Sequence, residues 1–418
     1  MEERILISPK RQVPVYAEIC LPASKSVLNR HLLMAALQGV PVSEEHIENQ
    51  ADDVRLMYSV IKQIDEACET GRMTEIGCQN AATVFRMASV YAAYRGGDYS
   101  FTGTEALKRR PVGELAAGLS DAGALVAFRE SAGYPPLFIH SGGFNISNLV
   151  LKASESSQHV SGFLLAGACI QGGLTLEIKG LMVSEPYINL TLRMMQEAGA
   201  MTQRAGNRIR VEETGYPAIS IRKEGDWSSA AFFYAALCLM PEGSSLLLKN
   251  LRRDSGQADE EAAGLFGLLG IETQTTGNDV LITRQHDPKK GFNADFTNCP
   301  DLFNAFATAA ALRQTPCTLT GLRHLRFKES DRLTNLLRGL DAMGCPFHQE
   351  GDVLQLAEGY HKVSDPPGLN STNDHRMAMS FALAGLRHPV ILHNPYVVSK
   401  SFPGFYPEFS KIADIKAI

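Results

Sequence analysis

Cations stand in this chain where helix physics disfavours them. In LPASKSVLNRHLLMAAL, residues 21–37, Ser24 reads as an N-cap, and Leu28, Leu32, Leu33, Ala36 and Leu37 form an apolar stripe. Lys25 falls in the first turn and Arg30 one turn further on, although a helix N-terminus already carries partial positive charge. Exposed N–H groups plus Lys and Arg make sense together if an anion sits above them. A solvated Lys beside an ordinary cap reads equally well for this stretch alone, but the pattern recurs. His375 and Arg376 load another first turn, and Asn80 and Thr83 open a helix that holds Arg86. Ser156, Ser157 and Gln158 put three hydrogen-bonding side chains at one helix start, a cradle suited to phosphate. The starts at Asp226 and Asp301 carry acids, which caps and dipoles favour anyway.

Three further stretches add charge. Lys108-Arg109-Arg110-Pro111 is a basic run held by Pro before a helix, and a solvated charge run reads the same way. Lys328-Glu329-Ser330-Asp331-Arg332 places Lys328 and Arg332 at i, i+4 with Glu329 between them, the spacing of a helical salt-bridge ladder. Lys400 follows a strand signal and precedes a Pro-Gly turn. Each is weak taken singly.

The elements that must position these residues repeat. Helices are predicted at 24–37, 79–92, 156–170, 226–240, 301–312 and 373–386, with starts about 55 to 77 residues apart. All are rich in Ala, Ser, Gly and Leu, so they pack closely on every side. Short strands are expected after them, at 41–47, 97–101, 174–178, 244–248, 317–319 and 390–392. Second helices ending in Gly are expected at 113–123, 187–199, 257–270 and 331–344. Six such units divide into two halves of three near residues 219–225, giving a mixed α/β protein of two similar domains.

Composition bounds the function. A length of 418 residues, 44% hydrophobic and 20% charged, suits a globular protein with sizeable cores. The formal charge of −5 gives no basic excess, so no nucleic-acid partner is expected. Eight cysteines without CxxC spacing indicate neither zinc nor a redox motif. No signal peptide or membrane span is read, so the cytoplasm is the expected location.

In order and spacing, LPASKSVLNR, QNAATVFR, KRRPVGEL, SSQ, VSEPYINLTL, PDLFNAFATAA, FKESDRL, NDHRMAM and SKSFPGF resemble the 5-enolpyruvylshikimate-3-phosphate synthase family over nearly the whole chain. The resemblance implies an α/β fold of two similar domains, each three βαβαββ units (an inside-out α/β barrel), closing like a clamp over an interdomain cleft. It assigns residues 1–22 plus 224–418 to one domain and 23–223 to the other. The implied reaction transfers the enolpyruvyl group of phosphoenolpyruvate to the 5-hydroxyl of shikimate 3-phosphate, releasing phosphate, without cofactor or metal. A monomer with two small-molecule substrates and no membrane or nucleic-acid partner is expected. Asp52-Asp53 looks like a metal pair, but the family match makes it a positioning feature.

By the same resemblance, Lys25, Asn80, Ala82, Arg110, Gln158, Arg332, Arg376 and Lys400 hold phosphoenolpyruvate. Lys25, Ser26, Arg30, Ser156, Ser157, Gln158, Ser184, Tyr187, Asp301, His324 and Lys328 hold shikimate 3-phosphate. Asp301 is the implied base toward the 5-hydroxyl, with Lys25 close by, and Glu329 the implied proton donor to C3. Three positions depart from the family pattern. Ala82 stands where Gly is usual, near the pocket in which the family binds glyphosate; His324 replaces a common Asn, and Glu185 a common Lys. Two rivals are weaker. The family acting on UDP-N-acetylglucosamine carries a reactive loop Cys, and no Cys occurs here between Cys78 and Cys169. A non-catalytic relative that only binds phosphorylated ligands does not need Lys25, Asp301, Glu329 and Arg376 together.

Overall fold

Helices without a polar face must be buried all round, and that requirement organises the chain. The computed structural model describes residues 3–10, 13–182, 184–289, 291–362 and 366–418. The chain divides into two compact units, Lys25–Lys223 and, separately, Glu224–Ile418 with the N-terminal residues up to Ser24.

Within the unit containing both termini, every residue of Trp227–Leu239, Phe303–Leu312 and His375–Ala382 is buried. Phe303–Leu312 lies against the other two. Within Lys25–Lys223 the same part is taken by Lys25–Gln38, Ala82–Arg95 and Gln158–Gly167, each in contact with the other two. These six helices are those predicted above, shifted by a few residues at their ends.

Among the described residues, five four-stranded sheets flank them and share one topology. In one, Phe292–Asp295 runs parallel to Cys317–Thr320, which pairs antiparallel with Val353–Leu356 and through it with Phe347–Glu350. Thr74–Gly77, Gly97–Thr102, Leu137–Ser141 and Leu125–Phe128 repeat that order, as do the other three sheets. Two of these recruit the N-terminus. Tyr16–Cys20 lies parallel to Ser245–Lys249, and Arg4–Pro9 lies between Val390–His393 and Ala413–Ala417. Composition alone could not have placed these residues with the C-terminal half. No sheet closes into a barrel among the described residues; the helices, not the strands, fill the interior.

Two local expectations fail. The strand expected at 41–47 is instead a coil with the 3-10 helix Glu44–His46, because that polar, acidic segment has no alternating apolar face to bury. The Ser24 hydroxyl is buried without a hydrogen-bond partner among the described residues, so it does not cap Lys25–Gln38. The eight cysteines are all unpaired, and no described helix is long and apolar enough to cross a membrane.

His31 and His159 are buried in the helix core of Lys25–Lys223. Burial first, with Arg222 beside His31 and Arg86 beside His159, lowers each imidazole from an ordinary 6.5 to about 4. Between those values the unfolded chain binds more protons than the folded one. The stability these neutral rings allow is therefore complete above pH 6.5 and is lost as the pH falls toward 4. The thermal midpoint is expected to drop across that window, and to drop less steeply in His159→Gln; equal slopes contradict the assignment.

Candidate active site

The polar residues gather at helix starts, and each unit is described by itself. In Lys25–Lys223, Lys25 Nζ bonds Asp53 Oδ2 at 2.9 Å, whereas Asp52 turns to the exposed Arg55. The two carboxylates of Asp52-Asp53 therefore pair with different cations. Among the described residues no cluster of His, Cys, Asp and Glu is arranged to hold a metal.

Arg30 is completely buried. Its Nε donates to Thr191 Oγ1 at 2.8 Å and its Nη1 to the Ser26 carbonyl at 2.8 Å. Its Nη2 faces Gln158 Oε1, Ser161 Oγ and the Tyr187 carbonyl at 3.2–3.4 Å. The Tyr187 ring lies 5.9 Å from the guanidinium carbon. Arg30 thereby fixes Gln158 and Tyr187. Desolvation lowers its pKa to about 10, so it stays charged at neutral pH.

Gln158 opens its helix with its N–H on Ser156 Oγ at 3.2 Å, and the Ser157 hydroxyl is buried without a partner among the described residues. Ser184, in left-handed backbone at φ 57°, begins Glu185–Glu197 and makes no side-chain cap. Ala82 is the first residue of Ala82–Arg95. Arg86, one turn later, donates to the Pro111 carbonyl at 2.8 Å and so ties that helix to the segment bearing the buried Arg110. The odd Glu185 has a plain explanation: it pairs with Arg204.

In the unit containing both termini, Asp301 sits in the 3-10 turn Pro300–Leu302 and caps nothing. Its Oδ1 accepts from Arg332 Nη1 at 2.8 Å and its Oδ2 from Arg376 Nη2 at 2.9 Å, with Lys328 Nζ at 4.0 Å. The plain-cap reading of this acid is thereby corrected. Arg332 also donates through Nε to Asp374 Oδ2 at 2.9 Å and through Nη2 to Glu329. Asp374 in turn caps His375–Ala382 by accepting from the Arg376 N–H at 2.9 Å. The helical i, i+4 spacing of Lys328 and Arg332 is not realised, although Arg332 does pair with Glu329. Lys328 is in extended backbone, and the helix Arg332–Ala342 begins only after Asp331, which caps it through the Thr334 N–H. Lys400 ends the 3-10 helix Pro395–Lys400 and is partly exposed.

Three cations, Lys328, Arg332 and Arg376, thus face three carboxylates, Asp301, Glu329 and Asp374. Burial acts to raise the Asp301 pKa, but Arg376, Lys328 and Arg332 together hold it well below the ordinary carboxylate range. Burial lowers the Lys328 pKa, and Arg332 and Arg376 add to that against the pull of Asp301. Arg332 and Arg376 are raised despite burial, mainly by Asp374 and by Asp301 respectively. Burial and then Lys328 lower His324 to about 4, so its half-buried ring is neutral at pH 7, with Nε2 unpartnered among the described residues. Guanidiniums suit bidentate pairing with carboxylate or phosphate, and here both are almost fully buried and engaged by internal carboxylates. Asp53 and Asp374 hold Lys25 and Arg332 from 28 and 42 residues away in sequence. Such separations leave no local sequence signal of either pairing.

The architecture is that of enolpyruvyl transferases. An EPSP synthase from Acinetobacter baumannii superposes over 100% of both chains with a TM-score of 0.73 at 22% identity. The enolpyruvyl transferase NikO from Streptomyces tendae does so over 100% of this chain and 99% of its own, at 0.74 and 16%. The family model for EPSP synthase (3-phosphoshikimate 1-carboxyvinyltransferase) matches residues 9–409. A 3-phosphoshikimate 1-carboxyvinyltransferase of Bacteroides fragilis is 33% identical over 411 residues, 98% of this chain and 97% of its own. One of Laribacter hongkongensis is 31% identical, over 94% and 96%. The chain belongs to the EPSP synthase family.

Proposed function

We propose that this chain carries out 3-phosphoshikimate 1-carboxyvinyl transfer with the two residue sets just described. The oxygen of the shikimate 5-hydroxyl bonds to C2 of phosphoenolpyruvate as its proton passes to a base, and C3 gains a proton. Loss of that C3 proton and cleavage of the bond from C2 to the phosphate oxygen then give the enolpyruvyl ether and inorganic phosphate. Asp301 is the base, assisted by Lys25, and Glu329 serves C3 in both directions. Arg332 and Arg376, with Lys25, Asn80, Gln158, Arg110 and Lys400, hold phosphoenolpyruvate. Ser26, Ser156, Ser157, Gln158, Ser184, Tyr187, His324 and Lys328 hold shikimate 3-phosphate, with Arg30 locking Gln158 and Tyr187 from within. The chain acts as a monomer in a reducing cytoplasm.

The observation that carries this reading is the Asp301 carboxylate shared between two buried guanidiniums. So paired, it is a weak base. Substrate phosphate and carboxylate compete for those same guanidiniums, and their release raises the proton affinity of Asp301 only when substrate is present. Phosphate release measured with each substrate alone and with both tests the reading. Release only with both supports it, and release from phosphoenolpyruvate alone contradicts it.

Ala82 adds a methyl at a buried helix start. Overpacking of about 1–3 kcal/mol against a bulkier ligand makes glyphosate a poor inhibitor while phosphoenolpyruvate still turns over. The inhibition constant is expected to fall about tenfold in Ala82→Gly, each tenfold being about 1.4 kcal/mol. Matching constants in the two proteins contradict the idea.

A further inference from the structure

One buried acid near Arg376 has no part in the chemistry above. Asp259, in the 3-10 turn Ala258–Glu261, is 2% exposed. Its Oδ2 accepts from the Ser228 hydroxyl in the first turn of Trp227–Leu239, and its Oδ1 is buried with no hydrogen-bond partner among the described residues. Arg376 has the complementary deficit. Its Nη1 and Nη2 donate to Asp301, while its buried Nε has no acceptor among the described residues. Orphaned buried donors and acceptors are costly. The 3-10 turns that carry Asp259 and Asp301 both pack on Trp227–Leu239, and Arg376 is bonded to Asp301. Burial, and next the charge of Asp301, push the Asp259 carboxyl up to about 7, against the pull of Arg376 and the Ser228 hydroxyl, with Asp226 opposing them.

We propose that Asp259 is a positioning residue for Arg376: its Oδ1 takes the Nε side of the guanidinium, directly or through one water, when a substrate anion draws the Nη groups from Asp301. The guanidinium then keeps a fixed counter-charge while Asp301 is freed to act as base. This rests on the reading of Arg376 as an anion-holding residue, and the test separates the two.

Steady-state kinetics of the full chain decide it. Asp259→Asn keeps the shape but removes the charge that a charge-assisted hydrogen bond needs. It is expected to raise KM for phosphoenolpyruvate about tenfold, with kcat and KM for shikimate 3-phosphate within about twofold. Ser228→Ala, which frees Oδ2, raises the same KM about threefold, and it decides the matter if the Asn variant does not fold. An unchanged KM in these variants, while Arg376→Lys raises it, overturns the proposal and leaves the reading of Arg376 standing. If Arg376→Lys also leaves KM unchanged, both fall. A drop in thermal midpoint with all kinetic constants altered alike marks Asp259 as merely structural and overturns the proposal too.

Discussion

Asp301→Asn is expected to lower kcat by about 10²–10⁴-fold without raising KM for phosphoenolpyruvate. The split follows from the charge arrangement. Asn retains the size of the side chain and a carbonyl oxygen that can accept from Arg332 or Arg376, but it cannot take up the proton of the attacking hydroxyl. Removing one of three carboxylates facing Lys328, Arg332 and Arg376 leaves the cluster with excess positive charge. That favours anionic substrates. A residue that served only to bind would show the opposite, a raised KM with kcat preserved. That outcome, measured by steady-state phosphate release, removes Asp301 from the role of base.

The second large effect is on stability. Arg332 is 1% exposed and is hydrogen-bonded to Asp301, Glu329 and Asp374, the last with no exposed side-chain surface. Arg332→Leu leaves those carboxylates without their shared cation, and breaking a buried pair from one side typically costs about 3–5 kcal/mol. Lys in its place restores the charge but not the planar fork that serves three acids at once, so it recovers only part of the loss. Denaturant midpoints of the three proteins measure this. A Leu variant within about 1 kcal/mol of the parent, the usual value of a surface pair, contradicts the buried network.

Much of this fold is legible in the sequence because small residues on all faces of a helix leave burial as the only option. Trp227–Leu239 and Phe303–Leu312 are unambiguous on that ground. The segment at 41–47 is misread because a few apolar residues among acids resemble a strand until a partner for them is sought. Site residues divide along the same line. Cations in first turns, Lys25 and Arg376, announce themselves by violating a local rule, and Arg332 violates it too once Asp331 is seen to be the cap. Acids obey the rule and so hide. Asp301 passes for a cap until Arg332 and Arg376 are found on its two oxygens. Asp259 lies in a segment that reads as an ordinary acidic helix start, and only its burial and its orphaned oxygen mark it out. Arg30 is a different case: its type and position are legible, but its complete enclosure by Thr191, Ser161, Gln158 and Tyr187 depends on elements distant in sequence.

The most direct test is a phosphorus NMR time course of the purified chain with equimolar phosphoenolpyruvate and shikimate 3-phosphate. The predicted result is loss of the phosphoenolpyruvate resonance matched by equal growth of inorganic phosphate, with the 3-phosphate of the shikimate ring retained and shifted as the 5-oxygen becomes an enol ether. Inorganic phosphate growing while the shikimate 3-phosphate signal stays unshifted, or no change in either substrate, would contradict enolpyruvyl transfer by this chain.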